Sequence, residues 1–302
     1  DSYVPGAIVV AQSLKDMRTT HDIVCMVTPD VTDGARTDLA TIFTHVIEVP
    51  YIEYNTVKMT SKKQADLYNC WIDQSFTKWN CLSLIQYTKV VLVDADMMFT
   101  TNCDEIFRLR APAACFSSPW AFPWKKNRHL KNPYIDRRSA DIQHGTQITP
   151  TMITNALHNK SYVGWSAFVL IEPSTIEYNT FCASLQVGVL TKNPEWRVTS
   201  GADEVSIAAH YVDQTWTHIH QKFLAIPWKP DWVSRDIRAL HYHGRKPWEM
   251  SPAEWPDLAN WWAVAKVASK QKNLYKYFYR SKPSEPMQII AGQAQTTYDL
   301  RI

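Results

Sequence analysis

A chain of 302 residues, 45% hydrophobic and 20% charged, has enough apolar material for a sizeable core and room for one large domain or two small ones. Its net charge of +3 is small and evenly spread, which argues against nucleic acid as a partner. Eight glycines, with neither a GxGxxG nor a GxxxxGKS/T pattern, argue against the usual dinucleotide cradle and the P-loop, so any nucleotide must be held without a glycine loop.

In chain order, Val4 to Met17 carries apolar residues at helical spacing, and Ile23 to Val27 reads as a strand broken by Thr28-Pro29-Asp30. A second helix around Gly34 to Phe43 leads into a strand from His45 to Val49. The segment from Gln64 to Tyr87 is helix-like, with aromatics at Tyr68, Trp71, Phe76 and Trp79. A strand then ends in Asp94 and Asp96, and Ala113 to Ser117 and Ser166 to Ile171 read as further strands. Such alternation predicts an α/β fold with a single, mostly parallel central sheet flanked by helices. Residues 118–163 form a long irregular insertion carrying Trp120, Trp124, Lys125, Lys126, Arg128, Arg137 and Arg138, either a solvated basic loop or a functional one. Ser251-Pro252-Ala253-Glu254 has the pattern of a capping box, so a helix is expected to begin there and to carry Trp255, Trp261 and Trp262. One domain over 1–280 and a loosely held tail over 281–302 are expected.

No segment reaches 18 continuous apolar residues, so no membrane span is expected, and Asp1 does not open a signal peptide. The lack of an initiator methionine leaves room for a removed anchor or signal. Six separated cysteines without a CxxC pair suggest buried thiols in a reducing compartment, hence a cytoplasmic location.

Val91-Leu92-Val93-Asp94-Ala95-Asp96 is the most informative stretch. Alternate side chains of an extended backbone point the same way, so Asp94 and Asp96 can converge at the carboxyl end of a strand, where open α/β sheets bind ligands. The bland reading is a strand followed by an acidic turn; the other is a seat for a divalent cation. Far downstream lies Leu240-His241-Tyr242-His243-Gly244-Arg245-Lys246-Pro247-Trp248. Alone it is a polar turn with a buried tryptophan. Paired with the aspartates it supplies an imidazole for the cation and a lysine for a diphosphate. Mixed oxygen and nitrogen ligation suits Mn²⁺ better than Mg²⁺.

With these motifs the chain resembles the retaining glycosyltransferases of family 8, in particular the glycogenin-like branch, which includes members carried by large DNA viruses. The resemblance runs from Asp1-Ser2-Tyr3-Val4-Pro5-Gly6-Ala7 through Phe76-Thr77-Lys78-Trp79, Val93-Asp94-Ala95-Asp96 and Ser200-Gly201-Ala202-Asp203-Glu204 to Lys246-Pro247-Trp248. It implies a GT-A fold, a UDP-sugar donor and Mn²⁺. By the same resemblance Asp94, Asp96 and His241 bind metal, and Lys246 binds the diphosphate. Tyr3 faces the nucleobase, Ala95 and Gly244 join the nucleotide-binding set, and Lys78 and Asp203 are the catalytic pair at the donor sugar. The expected reaction moves a hexose, glucose before galactose, to a hydroxyl of an external carbohydrate, glycoprotein or small-molecule acceptor, in a protein that can form a homodimer.

The chain departs from the family pattern at four places. One residue instead of two separates Gly244 from Lys246, which makes His243 a rival ligand. Trp165-Ser166-Ala167 replaces an amide-bearing triplet. Ser200 and Glu204 stand where an acid and a glutamine flank Asp203. The family's first strand would precede Asp1. Self-priming is disfavoured because no tyrosine lies between Tyr211 and His241. The rivals are a sugar-binding protein that has lost catalysis, a self-glucosylating primer, and a metal-dependent phosphohydrolase. Trp228, Trp232 and Trp248 are expected to line an acceptor site, since aromatic faces stack on sugar rings.

Overall fold

The structure is a computed structural model; it describes residues 1–56, 62, 65–66, 71–116, 142–158, 165–186, 202–225, 227 and 236–278. The chain divides into two compact units, one made of Asp1–Ile47, Ala95–Asp104 and Ala225–Ile302, the other of Glu48–Asp94 and Glu105–Leu224.

In the first unit, helix α1 (Val4–Asp16) begins with Pro5 in its opening turn, where a missing amide costs nothing. Its middle, Ile8 to Ser13, is buried all round, so this is a core helix rather than a surface one. Gly6 is required: a Cβ there would run into the carbonyl oxygen of Ala95 and the ring of Trp248. Buried Ser13 donates to Val10 O (2.8 Å) and accepts from Phe99 N (3.1 Å), tying α1 to strand β4 (Met97–Phe99). Strands β1 (Val24–Val27) and β2 (His45–Glu48) pair around helix α2 (Asp33–Leu39), whose cap, Thr32, accepts from Ala35 N. Strand β9 (Ala239–His241) runs antiparallel to β4 with Met97 opposite His241.

The C-terminal helix of this unit begins later than expected. Glu254 makes one contact of a capping box, accepting from Ser251 N at 2.9 Å, but Ser251 Oγ accepts from Ala253 N rather than Glu254 N, and the segment closes a turn. The helix itself spans Pro256–Lys272, with Trp255 at its N-cap and off the helix. A second proline, Pro256, supplies the pre-set first-turn φ expected of Pro252. Leu258, Trp261, Ala265 and Ala268 form its buried stripe.

The second unit holds a five-stranded sheet in the order β3 (Val90–Val93), β7 (Trp165–Ile171), β5 (Ala113–Cys115), β8 (Trp216–His218), β6 (Gln147–Ile148). Its pairings are antiparallel except β5 with β8. A single, mostly parallel sheet is therefore not what forms: the described strands make three sheets, and the largest is mixed. β3, β5 and β8 run one way, as strand–helix alternation predicts, but β7 is inserted antiparallel between β3 and β5. The long stretches of chain before and after β7 leave both directions open, because only a short hairpin connection fixes a strand's direction, and it fixes it antiparallel. All seven β7 residues are buried, as a central strand requires.

Helices α3 (Pro150–His158), α4 (Thr175–Gln186) and α5 (Ala202–His210) also belong to this unit. β6 and α3 lie within 118–163, so that insertion is not irregular throughout. Its Trp120, Trp124, Lys125, Lys126, Arg128, Arg137 and Arg138 lie outside the described residues, as do Tyr68, Ser200, Trp228, Trp232 and the 281–302 tail. Within the helix-like 64–87 segment, Ile72–Ser83 is a 3-10 helix rather than an α-helix. Ser75, Asn80 and Ser83 each donate a side-chain hydrogen bond to the carbonyl three residues back, competing for the backbone acceptors and favouring the tighter turn. That helix buries Phe76 and Trp79 and presents Lys78 between them.

Candidate functional site

The first unit gathers one group of expected residues. β4 and β9 are paired so that His241 sits opposite Met97, and Tyr242 N donates to Asp96 O (2.8 Å), which holds Asp96 beside His241. His241 Nε2 is 3.4 Å from Asp96 Oδ1, and Lys246 Nζ is 2.5 Å from Asp96 Oδ2. Burial alone would raise the Asp96 pKa, but His241 and Lys246 outweigh it and hold the carboxyl well below the usual carboxylate range. His241 Nδ1 is buried with no hydrogen-bond partner, a costly state for an imidazole nitrogen unless a ligand uses the ring.

Gly244 has φ +86°, a left-handed turn that glycine adopts without strain, and it brings Lys246 back towards Asp96 across one intervening residue. Tyr3 is half exposed; Trp248 meets it edge-on at 5.5 Å between ring centres, and Lys246 Nζ lies 5.6 Å over the Tyr3 ring. An exposed aromatic face beside an ammonium is a surface a nucleobase and its phosphate can use. Trp248 also packs on Trp261 (6.0 Å) and against Gly6, so much of its ring is spent inside the unit. His243 stands 6.0 Å from His241 between ring centres; burial, then the neighbouring His241, lower its pKa.

The second unit gathers the rest. The β3–β7 ladder continues one step past β3, with Asp94 N donating to Ala167 O (2.9 Å). Lys78 Nζ is 2.7 Å from Asp94 Oδ1 and 3.2 Å from Asp203 Oδ2. Burial would lower the Lys78 pKa, but Asp94 and Asp203 together drive it far above the ordinary lysine value, so this ammonium never deprotonates in the physiological range. Asp203, in the first turn of α5, also accepts from Ser166 Oγ at 2.7 Å. Ser166 and Glu204 are members to which the sequence assigns no role: Ser166 bridges Lys78 (3.4 Å) and Asp203, and Ser166 N donates to Glu204 Oε1 (3.4 Å). Their signal is their position, each inside a departure from the expected motif.

Three comparisons bear on this geometry. Solved structures of LgtC share the fold: the galactosyltransferase in complex with donor and acceptor sugar analogues has a TM-score of 0.54 at 9% identity, over 90% of this chain and 97% of that one. An active-site variant of LgtC gives 0.54 at 12% identity, over 88% and 93%. The chain thus has the GT-A glycosyltransferase fold.

Residues 1–139 match the model described as Glycosyl transferase family 8, so the resemblance to that family stands. A protein of Acanthamoeba polyphaga mimivirus is 33% identical over 178 residues, 58% of this chain and 53% of its own length. Glycogenin-1 of Mus musculus is 25% identical over 261 residues, 81% of this chain and 76% of its own. Glycogenin-1 of Homo sapiens is 36% identical over 137 residues, 45% of this chain and 38% of its own. The chain therefore spans about half the length of the viral relative. Among the described residues no helix is long and apolar enough to cross a membrane.

Proposed function

We propose that this chain is a retaining glycosyltransferase that moves a hexose, glucose before galactose, from a UDP-sugar to a hydroxyl of an external acceptor. The observation that carries the reading is Asp96 in the first unit, held between His241 and Lys246, with Asp94 two positions before it in the chain. The chemistry of two carboxylates two positions apart in the chain and of an imidazole with a buried, unpartnered nitrogen suits a divalent ion of mixed oxygen and nitrogen preference, Mn²⁺ before Mg²⁺. When bound there, such an ion supplies Lewis-acid stabilisation of the diphosphate leaving group.

The chain's own groups do the remaining work. Breaking the sugar–phosphate bond builds negative charge on the diphosphate, and Lys246, already held in a half-buried turn, offsets it without reorganisation. Tyr3 offers its exposed face to the base. Lys78 and Ser166 hold Asp203 in one orientation, and Asp203 faces the donor sugar and counters positive charge at the anomeric carbon. The aromatic and basic residues of 118–163 help to choose the acceptor.

A screen of UDP-sugars with MnCl₂, scoring UDP release with and without acceptor sugars, tests the reading. UDP-glucose should be turned over, faster with an acceptor, and the product should keep the donor's anomeric configuration by NMR. Tight donor binding without any release would instead favour the inactive sugar-binding protein.

A further inference from the structure

Two elements of the second unit set the separation of Lys78 and Asp203, the 3-10 helix Ile72–Ser83 and α5. The far end of α5 carries a polar pair that takes no part in the proposed reaction. His210, the last residue of α5, has its Nε2 2.7 Å from Oε2 of Glu177 in the first turn of α4. The His210 side chain is 4% exposed. Phe181 meets its ring edge-on at 5.6 Å between ring centres and Tyr211 at 4.5 Å, which hold the imidazole with Nε2 on the carboxylate. Glu177 and Phe181 are one turn apart on the same face of α4, so a single helix face both bonds and packs the ring.

α5 gains from such an anchor. Asp203 lies about 10 Å along the helix from His210. Between them Val205, Ile207, Ala208 and Ala209 are buried, and Ser206 bonds back within the helix to Asp203 O (2.8 Å). Burial of apolar surface is non-directional and alanines form shallow ridges, so this stretch holds the helix down without fixing it along its axis. A hydrogen bond is directional and does fix it. α4 is in turn tied to the 3-10 helix. Ser174 N, just before α4, donates to Leu82 O (2.9 Å), Tyr178 Oη donates to Asn80 Oδ1 (3.1 Å), and Phe181 meets Trp79 edge-on at 6.3 Å. Phe181 thus packs on both His210 and Trp79, the chain neighbour of Lys78. The contacts close a circuit: from Lys78 to Asp203, along α5 to His210, across to Glu177, and back through α4 to the 3-10 helix.

We propose that His210 and Glu177 are positioning residues for the donor-sugar end: their bond fixes α5 along its axis and so holds Asp203 at its distance from Lys78. This rests on the transferase reading, in which Asp203 and Lys78 face the sugar. Neither residue touches substrate. Their bond sets the rate of sugar transfer through Asp203 and leaves the hold on UDP, which belongs to residues of the first unit, unchanged.

The first readout uses the protein without ligand. The Lys78 ammonium is followed by NMR in protein labelled with ¹⁵N-lysine, its signal assigned by its loss in Lys78→Arg. Wild type is compared with Glu177→Ala, Glu177→Gln, His210→Ala and His210→Gln. A displaced or broadened Lys78 signal is expected in both alanine variants and a wild-type signal in both glutamine variants, because the amide restores an acceptor at 177 or a donor at 210. Glu177 is 34% exposed, so Glu177→Ala keeps the test decisive if His210→Ala does not fold. An unmoved Lys78 signal in Glu177→Ala overturns the inference.

The second readout pairs UDP release from UDP-glucose in MnCl₂ with calorimetric binding of UDP in MnCl₂. In Glu177→Ala, kcat should fall about 10-fold while UDP affinity keeps its wild-type value, and Glu177→Gln should recover most of the loss. Lower thermal stability with kcat unchanged would mark the pair as structural only and overturn the proposal, as would an equal fall in the alanine and glutamine variants. No turnover by wild type defeats the transferase reading; the Lys78 signal then still decides whether the pair holds the cluster, so the two failures are told apart.

Discussion

Asp96 in the first unit is one carboxylate facing two bases, Lys246 and His241, whereas Lys78 in the second unit is one ammonium facing Asp94 and Asp203, with Glu204 next in line. His241 and Lys246 pull the Asp96 carboxyl down against its burial; burial first, then Asp203, pushes the Glu204 carboxyl up. The same carboxyl chemistry is thus shifted in opposite directions in two parts of one chain, by burial and by the charges that surround it. On the proposed reading, the first unit takes the negatively charged part of the donor and the second its sugar.

The largest effect is expected where removing one group strands two others. Asp96→Ala leaves Lys246 and His241 buried near each other without their carboxylate, so it should cost about 3–5 kcal/mol in urea unfolding and abolish metal-dependent turnover. Asp96→Asn, which keeps the shape, should lose turnover with a smaller stability cost. Unfolding midpoints equal to wild type for both would mean that the charge balance in the first unit is not what holds the β4–β9 end together.

Lys78→Ala comes next: it leaves Asp94 and Asp203 without their common cation and should cost about 3 kcal/mol. Donor hydrolysis should fall with it, by about 10²-fold or more if Asp203 loses its orientation. A variant with normal turnover would show that the second unit's ion pairs are structural only.

A third expectation turns on proton linkage at Glu204. Its folded pKa, about 8, lies above the unfolded value near 4.5, so the folded state binds the extra proton between those limits. Stability should therefore fall as pH rises from about 4.5 to 8, with a slope of at most about 1.4 kcal/mol for each pH step of one, and level off above. Glu204→Gln should remove this decline. Urea denaturation of both proteins across that pH range measures it, and parallel curves would show that Glu204 titrates alike in the folded and unfolded chain.

The smallest effect belongs to Ser166→Ala, which deletes the hydroxyl donated to Asp203 at 2.7 Å and should cost about 1.5–3 kcal/mol for a hydrogen bond to a charged group, much of it seen as lost donor affinity. Ser166→Thr, able to restore the donor, should recover part of it.

Several of these groups are legible in the chain before any fold is known. Val91 to Val93 reads as a strand because branched aliphatic residues run uninterrupted, Ser166 to Ile171 reads as another, and the strands form over Val90–Val93 and Trp165–Ile171. The Asp94–Asp96 spacing and the His241 and Lys246 turn are local patterns with a chemical reason, and the structure brings Asp96, His241 and Lys246 together. Strand direction is not legible in the same way: β7 is as apolar whether it runs with or against its neighbours, so alternation alone predicts a parallel sheet. The Ser251–Glu254 pattern misleads in a related way, since its hydrogen bond forms equally well in a turn, and the helix starts only at Pro256.

The sequence by itself determined the elements that depend on near neighbours: the buried helix α1, the apolar strands, the left-handed turn at Gly244 and the acidic end of β3. It also supplied the motif order that points to the glycosyltransferase resemblance. The tertiary structure alone decided the register that sets His241 opposite Met97, the convergence of Lys78, Asp203 and Ser166 from three elements, and the burial and charges that raise the Glu204 pKa. Those outcomes depend on which charges and amides meet across long stretches of chain, and Coulomb and desolvation energies at a few ångströms are set by that meeting rather than by local spacing.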